Sequence, residues 1–147
     1  MVATPLFALA GLGVSVYLTI AHYTQLPLAA CPENATINCE KVTTSPESVV
    51  FGVPVALLGL LFFAAMVPLC LPFAWRCAHR LVAPARLAAV VVGIGFVCYL
   101  LYAELFDIRS ICLYCTSVHV LTFALFVGVV TGWDEARAPY LEALEAA

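Results

Sequence analysis

Charged residues are scarce in this chain: only 10% of its 147 residues are Asp, Glu, Lys or Arg, against about 25% in soluble domains. Six basic and nine acidic residues give a net charge of −3, and no basic run suggests a nucleic-acid partner. The sequence also lacks a glycine-rich nucleotide fingerprint and the C-x-x-C-H motif of haem attachment. These absences disfavour a soluble domain, a nucleic-acid binder and a nucleotide or haem enzyme.

The chain is instead rich in long apolar stretches. Hydrophobic residues make up 65% of it, more than a soluble chain this short can bury. Charge-poor stretches predict membrane helices at about residues 5–22, 52–74, 85–105 and 110–131, since a span needs about 20 apolar residues. We therefore predict an all-α membrane protein, a single domain over 1–147 built as a four-transmembrane-helix bundle, with loop 23–51 joining the first two spans.

The few basic residues predict the orientation. The connection between the second and third spans carries three of them, whereas loop 23–51 carries only Lys41 and the third connection only Arg109. The positive-inside rule then places that connection and both termini in the cytoplasm, and loop 23–51 on the opposite side. The three bases are Arg76, Arg80 and Arg86.

Four of the seven cysteines are predicted to meet at the non-cytoplasmic face, where disulfides can persist. Cys31 and Cys39 lie in the loop, and Cys112 and Cys115 open the fourth span. The other three are expected to be small buried residues that stay reduced. They are Cys70, Cys77 and Cys98.

Cys112-Leu113-Tyr114-Cys115 has the features of a reactive dithiol. Residues three apart share a helix face, and a helix N-terminus favours a thiolate. Cys115, one turn deeper, is better placed to contact a molecule dissolved in the bilayer, and Cys112 to exchange with an outside thiol. The alternatives are a static disulfide or a metal site, but a metal would need further ligands, and only His119 is near in sequence.

Cys31 and Cys39 flank a polar, turn-prone stretch and form a second candidate dithiol. Two neighbouring pairs indicate a relay, because thiol–disulfide exchange hands electrons from one pair to the next. The alternative is a structural staple of the loop. A relay needs a two-electron acceptor in the membrane, and a quinone fits.

These residues resemble the vitamin K epoxide reductase family, in particular its bacterial-type homologues. The resemblance rests on four spans, a loop cysteine pair eight residues apart and C-x-x-C opening the last span. The run Cys39-Glu40-Lys41-Val42-Thr43-Thr44-Ser45, followed by Phe51-Gly52-Val53-Pro54, is similar to the family's segment after its second loop cysteine.

The resemblance implies a bundle around a quinone, capped by the extracytoplasmic loop. By analogy Cys115 contacts the quinone, and Cys112 forms a disulfide with Cys115 and exchanges with Cys39. Cys31 pairs with Cys39 and accepts electrons from a thioredoxin-like partner. The substrate would be menaquinone, ubiquinone or vitamin K (or its epoxide), with no metal or nucleotide, in a bacterial inner membrane or, in a eukaryote, the endoplasmic reticulum.

Four further residues are expected at the quinone: His119, Ser45, Ser48 and Phe51. His119 lies one turn after Cys115 and could donate a hydrogen bond to a quinone carbonyl. Ser45 would help to hold the loop together. Many bacterial members carry a fused thioredoxin-like domain, whereas only a short acidic tail, 134–147, follows the fourth span here, so the redox partner is expected to be a separate protein.

Three other interpretations remain open at this point. The second type of bacterial membrane disulfide oxidase also has four spans, but its C-x-x-C lies in the first loop. A metal-handling transporter would depend on Cys70, Cys77 and Cys98, and a structural tetraspan protein on none of its cysteines.

Overall fold

The computed structural model describes residues 3–24, 28–29, 31, 34, 36–77 and 79–145. Parts of the predicted loop 23–51 therefore lie outside the described residues. The long helices are α1 (Ala3–Thr24), α3 (Val55–Cys70), α5 (Val82–Tyr102) and α6 (Leu113–Thr131); the shorter ones are α2 (Cys39–Thr43), α4 (Pro72–Trp75) and α7 (Trp133–Glu145). α1 packs on α3 and α6, and α5 packs on α6. The prediction of a largely helical chain is confirmed.

Three helical segments are long and apolar enough to cross a membrane: Ala3–Thr24, Val82–Ile108 and Leu113–Thr131. Large apolar side chains on them face outward, which is what lipid contact requires. Examples are Leu6, Ile20, Val92, Phe106, Val120 and Phe123. The chain is therefore an integral membrane protein.

The second predicted span, 52–74, is shorter in the structure. Val53–Pro54 is a strand, and α3 runs only from Val55 to Cys70. Leu71 leaves the helix with an extended backbone, because the residue before a proline avoids the helical conformation and Pro72 follows. The 16 residues of α3 cover roughly 24 Å, less than the about 30 Å of a hydrocarbon core.

Small residues let α1 approach α3 closely. Gly11 of α1 lies under the ring of Phe63, and Gly59 of α3 faces the Ser15 hydroxyl. A Cβ on Gly11 would lie 2.1 Å from the Phe63 ring, so no larger residue fits there without movement. Gly11 and Ser15 are four apart, the spacing that membrane helices use for close packing.

Arg86 is not in the connection where the sequence placed it. It lies inside α5, is 1% exposed and sits with its guanidinium 3.9 Å from the centre of the Trp75 ring. Its Nε donates a hydrogen bond to the Leu69 carbonyl at 2.8 Å. The prediction was wrong because α5 begins at Val82 and takes in Arg86. The Trp75 ring and the Leu69 carbonyl contact its guanidinium, whereas Nη1 and Nη2 have no hydrogen-bond partner among the described residues.

The acidic tail predicted after the fourth span is α7 through Glu145. Asp134 and Glu135 lie in its first turn, where carboxylates interact favourably with the helix dipole. Ala136 is buried in a small cluster with Trp75 and Ala83. Favourable charges in the first turn and one packed side chain thus support a helix in this acidic segment.

Candidate functional site

The first cysteine pair is joined. Cys31 and Cys39 form a disulfide, with their Cα atoms 6.3 Å apart. Cys39 is the first residue of α2, whose start is fixed by Asn38: its side chain accepts the Lys41 N–H at 2.8 Å. An Asn at this position satisfies a helix amide that would otherwise lack a partner. The pairing implied by the family resemblance is thus present.

The loop is held directly against the start of α6. The Asn38 N–H donates to the Ile111 carbonyl at 3.1 Å, and the Ile111 N–H donates to the Thr36 carbonyl at 2.9 Å. Ile37 and Ile111 form a short parallel bridge. Because Cys39 and Cys112 directly follow these bonded residues, both cysteines enter one buried cluster, with Cys31 and Cys115 packed beside it. The four cysteines predicted to meet do so.

Cys112 caps α6. Its Sγ accepts the Cys115 N–H at 3.3 Å. The hydrogen bond from the Cys115 thiol, aided by backbone N–H groups, holds the pKa of Cys112 below its usual value, although burial opposes this. This direction agrees with the thiolate-favouring environment expected at the start of the helix. Its expected access to outside thiols is wrong: Cys112 is 0% exposed, because the loop covers it.

Cys115 faces a cavity of about 320 Å³ enclosed by α1, α3, α5, α6 and the segment after α2. The walls are mostly apolar. They include Val55, Leu58 and Phe62 of α3 and Phe96, Val97 and Leu100 of α5. A largely apolar cavity with a few polar groups is the usual form of a small-molecule site.

His119 lines the same cavity one turn beyond Cys115. It is 5% exposed, and its Nδ1 has no hydrogen-bond partner among the residues that the structure describes. A buried ring nitrogen without a partner costs free energy unless a ligand or water bonds to it.

Ser45 and Ser48 also line the cavity, but their hydroxyl protons are engaged. Ser45 Oγ donates to the Val42 carbonyl at 2.9 Å, and Ser48 Oγ donates to the Ser45 carbonyl at 2.6 Å. These bonds tighten the turn that closes one end of the cavity. Each hydroxyl can still accept a hydrogen bond from a ligand, but it cannot donate one without breaking its present bond.

Phe51, expected at the quinone, does not line the cavity. Its side chain is fully exposed. Phe51 and Gly52 both have positive φ, 51° and 79°, and form the two-residue turn between strands β1 (Val49–Val50) and β2 (Val53–Pro54). Two left-handed residues match the twist of a tight hairpin, and the turn directs the Phe51 ring outward.

Glu104 is a cavity residue that the sequence analysis did not single out. It lines the cavity with Cys115 and His119 and is 4% exposed. It lies in a π-helical turn, Ala103–Ile108, that continues α5, and π turns are frequent at functional sites. The available signal was an acidic residue inside a predicted span, 85–105, since a membrane-embedded ionisable residue is a functional candidate by default.

The remaining cysteines do not join the site. Cys70 is buried in the core between α1, α3, α5 and α6, Cys98 is exposed on α5, and Cys77 is half-buried after α4. All three are free thiols. Across the described ranges, no group of three or more His, Cys, Asp or Glu residues is arranged to hold a metal ion.

Comparison with known families agrees with this arrangement. The sequence profile of the vitamin K epoxide reductase family matches residues 2–130, most of the chain. The match includes all four cysteines of the cluster and the helices around the cavity. Members of this family are membrane-bound, quinone-linked oxidoreductases of thiols and disulfides. The chain belongs to the vitamin K epoxide reductase family.

Proposed function

We propose that the protein is a membrane thiol–quinone oxidoreductase that supports disulfide formation. Electrons pass from a thioredoxin-like partner to the Cys31–Cys39 disulfide, then to Cys112 and Cys115, and finally to a quinone in the cavity. The quinone is menaquinone, ubiquinone or vitamin K, or the vitamin's epoxide. The observation that carries the proposal is that Cys115 lines the cavity while Cys112, three residues earlier, packs with Cys39.

The order of the two pairs follows from their exposure. Cys31 is partly exposed, whereas Cys39 and Cys112 are buried together beneath the loop. A protein thiol can therefore reach Cys31 first. Reduction of the Cys31–Cys39 disulfide frees the Cys39 sulfur beside Cys112, and exchange between neighbouring sulfurs proceeds through a mixed disulfide.

His119 orients the quinone in this proposal. A quinone carbonyl only accepts hydrogen bonds, and a neutral histidine protonated on Nδ1 donates one. The unpartnered Nδ1 supports this role. Ser45 and Ser48 can accept from the hydroxyl groups of the hydroquinone product, because each keeps its own proton on a backbone carbonyl.

The four-span topology belongs to the same proposal. α3 and α4 together extend from Val55 to Trp75, 21 residues and long enough for a fourth crossing with a bend at Leu71. The cysteine cluster then lies on the non-cytoplasmic side under the capping loop. Both termini are cytoplasmic, in a bacterial inner membrane or, in a eukaryote, the endoplasmic reticulum membrane.

Turnover by the purified protein tests the proposal. With dithiothreitol as reductant, the wild type is expected to reduce soluble ubiquinone and menaquinone analogues, and Cys115→Ala is expected to lose this activity. Cys98→Ala is the matched control, because this free thiol is exposed on α5 away from the cavity. Equal rates in the wild type and Cys115→Ala would contradict the proposal.

A further inference from the structure

We infer that Glu104 is the proton carrier of this site: its carboxylate takes a proton from the Cys112–Cys115 dithiol and delivers it to the reduced quinone. The inference rests on the proposed function and adds a residue with a chemical role to it. Glu104 shares the cavity wall with Cys115 and His119, and it is the buried one of the two carboxyls that line this space, the other being the half-buried Glu47.

The reaction itself requires such a carrier. Oxidation of two thiols breaks two S–H bonds and forms one S–S bond, releasing two electrons and two protons. The quinone takes both electrons and forms two O–H bonds. Cys112 is 0% exposed beneath the loop, so bulk water is poorly placed to take up and return its proton. A side chain between thiol and quinone can do so.

Glu104 meets the requirements of a carrier better than any other acid in the described part of the chain. Its side chain is 4% exposed, and the described residues make no hydrogen bond to its carboxyl group and form no ion pair with it. A carboxyl that only stabilised the fold would be expected to have a basic or donor partner.

The π-helical turn explains how Glu104 comes to face inward. Ala103 and Glu104 are both buried, whereas the next three residues, 105–107, are exposed. The widened turn ends at Arg109, which has a left-handed backbone with φ of 54°, and the Lys41 ammonium donates to the Ile108 carbonyl at 2.7 Å. This irregular segment is thus fixed from the loop side, with Glu104 on its inner face.

Proton and electron transfers balance as follows. The Cys112 proton passes to the Glu104 carboxylate, and the S–S bond forms as two electrons go to the quinone. The Cys115 proton goes to one quinone oxygen, and Glu104 passes its proton to the other oxygen. The products are a Cys112–Cys115 disulfide and a hydroquinone, and Glu104 is again ionised.

The test is single-turnover quinone reduction by fully reduced, full-length protein with Glu104→Gln. Gln keeps the shape of the side chain but cannot carry a proton. The rate is expected to fall about 100-fold or more, in the range usual for loss of a general acid or base. Glu104→Asp should recover part of it. Asp107→Asn is the matched control, an exposed acid of the same π turn, and should retain the wild-type rate.

The pH profile distinguishes proton transfer from a merely structural role. Glu104→Gln should lose one ionisation from the profile of the rate while quinone affinity stays within a factor of two. The other ionisable groups at this cavity are Cys115 and His119 on α6, His22 on α1 and Glu47 after α2, with Lys41 on α2 above the π turn, and Glu104→Gln leaves all of them in place.

Each outcome is informative. A wild-type rate and profile in Glu104→Gln would overturn the role of Glu104 while leaving the quinone reductase intact. A slow Glu104→Gln variant with an unchanged profile, or with equally slow Asp107→Asn, would also overturn it in favour of a structural effect. No quinone reduction by the wild type would instead overturn the proposed function itself.

Discussion

Replacing His119 with Phe should move stability and function in opposite directions. The His119 ring is 5% exposed, and its Nδ1 lacks a hydrogen bond within the described structure. A buried polar group without a partner costs about 1–3 kcal/mol. Phe has a similar shape and no polar atom, and the adjoining cavity gives it room. The ligand-free variant is therefore expected to be more stable than the wild type, by at most about 1–3 kcal/mol.

Quinone binding should weaken in the same variant. A hydrogen bond to a neutral acceptor contributes about 0.5–1.5 kcal/mol, so affinity for a quinone analogue is expected to fall about 2- to 10-fold. Disulfide exchange between the cysteine pairs should be unchanged, since His119 is not part of the cysteine cluster.

The assay combines thermal unfolding in detergent, with and without a quinone analogue, and direct measurement of quinone affinity. Ser117→Ala is the control: it lies on the same helix, is exposed, and among the described residues its hydroxyl bonds only to the Leu113 carbonyl. Lower stability of the ligand-free His119→Phe protein would show that Nδ1 is satisfied in the absence of quinone. Unchanged quinone affinity would refute the hydrogen bond to the substrate.

Three further predictions concern the loop, the dithiol and the helix packing. Cys31→Ala should lose the activity driven by a protein partner yet keep part of the activity driven by dithiothreitol. Without the disulfide the loop no longer has to cover Cys112, so the small dithiol can reach it. Equal loss in both assays would count against the relay. A hydrogen bond from Cys115 holds the pKa of Cys112 below its usual value. The Cys112 thiolate should therefore persist at pH values below the usual cysteine pKa of about 8.5, and it should be lost as the pH falls through the lowered pKa. Ultraviolet thiolate absorbance measures this, and Cys115→Ala should move the midpoint upward; an unmoved midpoint would refute the cause. In thermal unfolding, Gly11→Ala should destabilise the protein by about 1–3 kcal/mol, because the new Cβ would meet the Phe63 ring. The control Gly13→Ala places its Cβ where no atom lies within 4 Å, and it should be neutral or slightly stabilising. Equal effects of the two substitutions would contradict the packing.

Hydropathy and cysteine spacing predicted the parts of the fold that depend on length and composition. The predicted spans 5–22 and 110–131 correspond to α1, which extends from Ala3 to Thr24, and to α6, which begins at Leu113. The meeting of the two cysteine pairs was also predicted, because four expected spans put an even number of crossings between the loop and the start of the last span. These features follow from the thickness of the bilayer and need no knowledge of side-chain packing.

What the sequence did not predict depends on rotation about the helix axes and on individual contacts. Glu104 faces the cavity from a π turn that follows α5, and no periodicity marks such a turn. Arg86 is buried because Trp75 happens to lie over it, a contact between separate elements. Phe51 looked like an apolar site residue, but the hairpin turn directs it outward. In a helix that is apolar on all sides, hydrophobic patterning cannot tell the lipid-facing side from the cavity side.

The central claim is that the Cys112–Cys115 dithiol reduces a quinone, and stoichiometry tests it most directly. Fully reduced protein carrying Cys31→Ala and Cys39→Ala, in which the new disulfide cannot move to the loop pair, is mixed with one equivalent of a quinone analogue without oxygen. Free thiols are then alkylated and located by mass spectrometry. One hydroquinone is expected for each Cys112–Cys115 disulfide formed, with Cys70 and Cys98 still reduced. Hydroquinone formed without that disulfide, or a disulfide formed without hydroquinone, would contradict it.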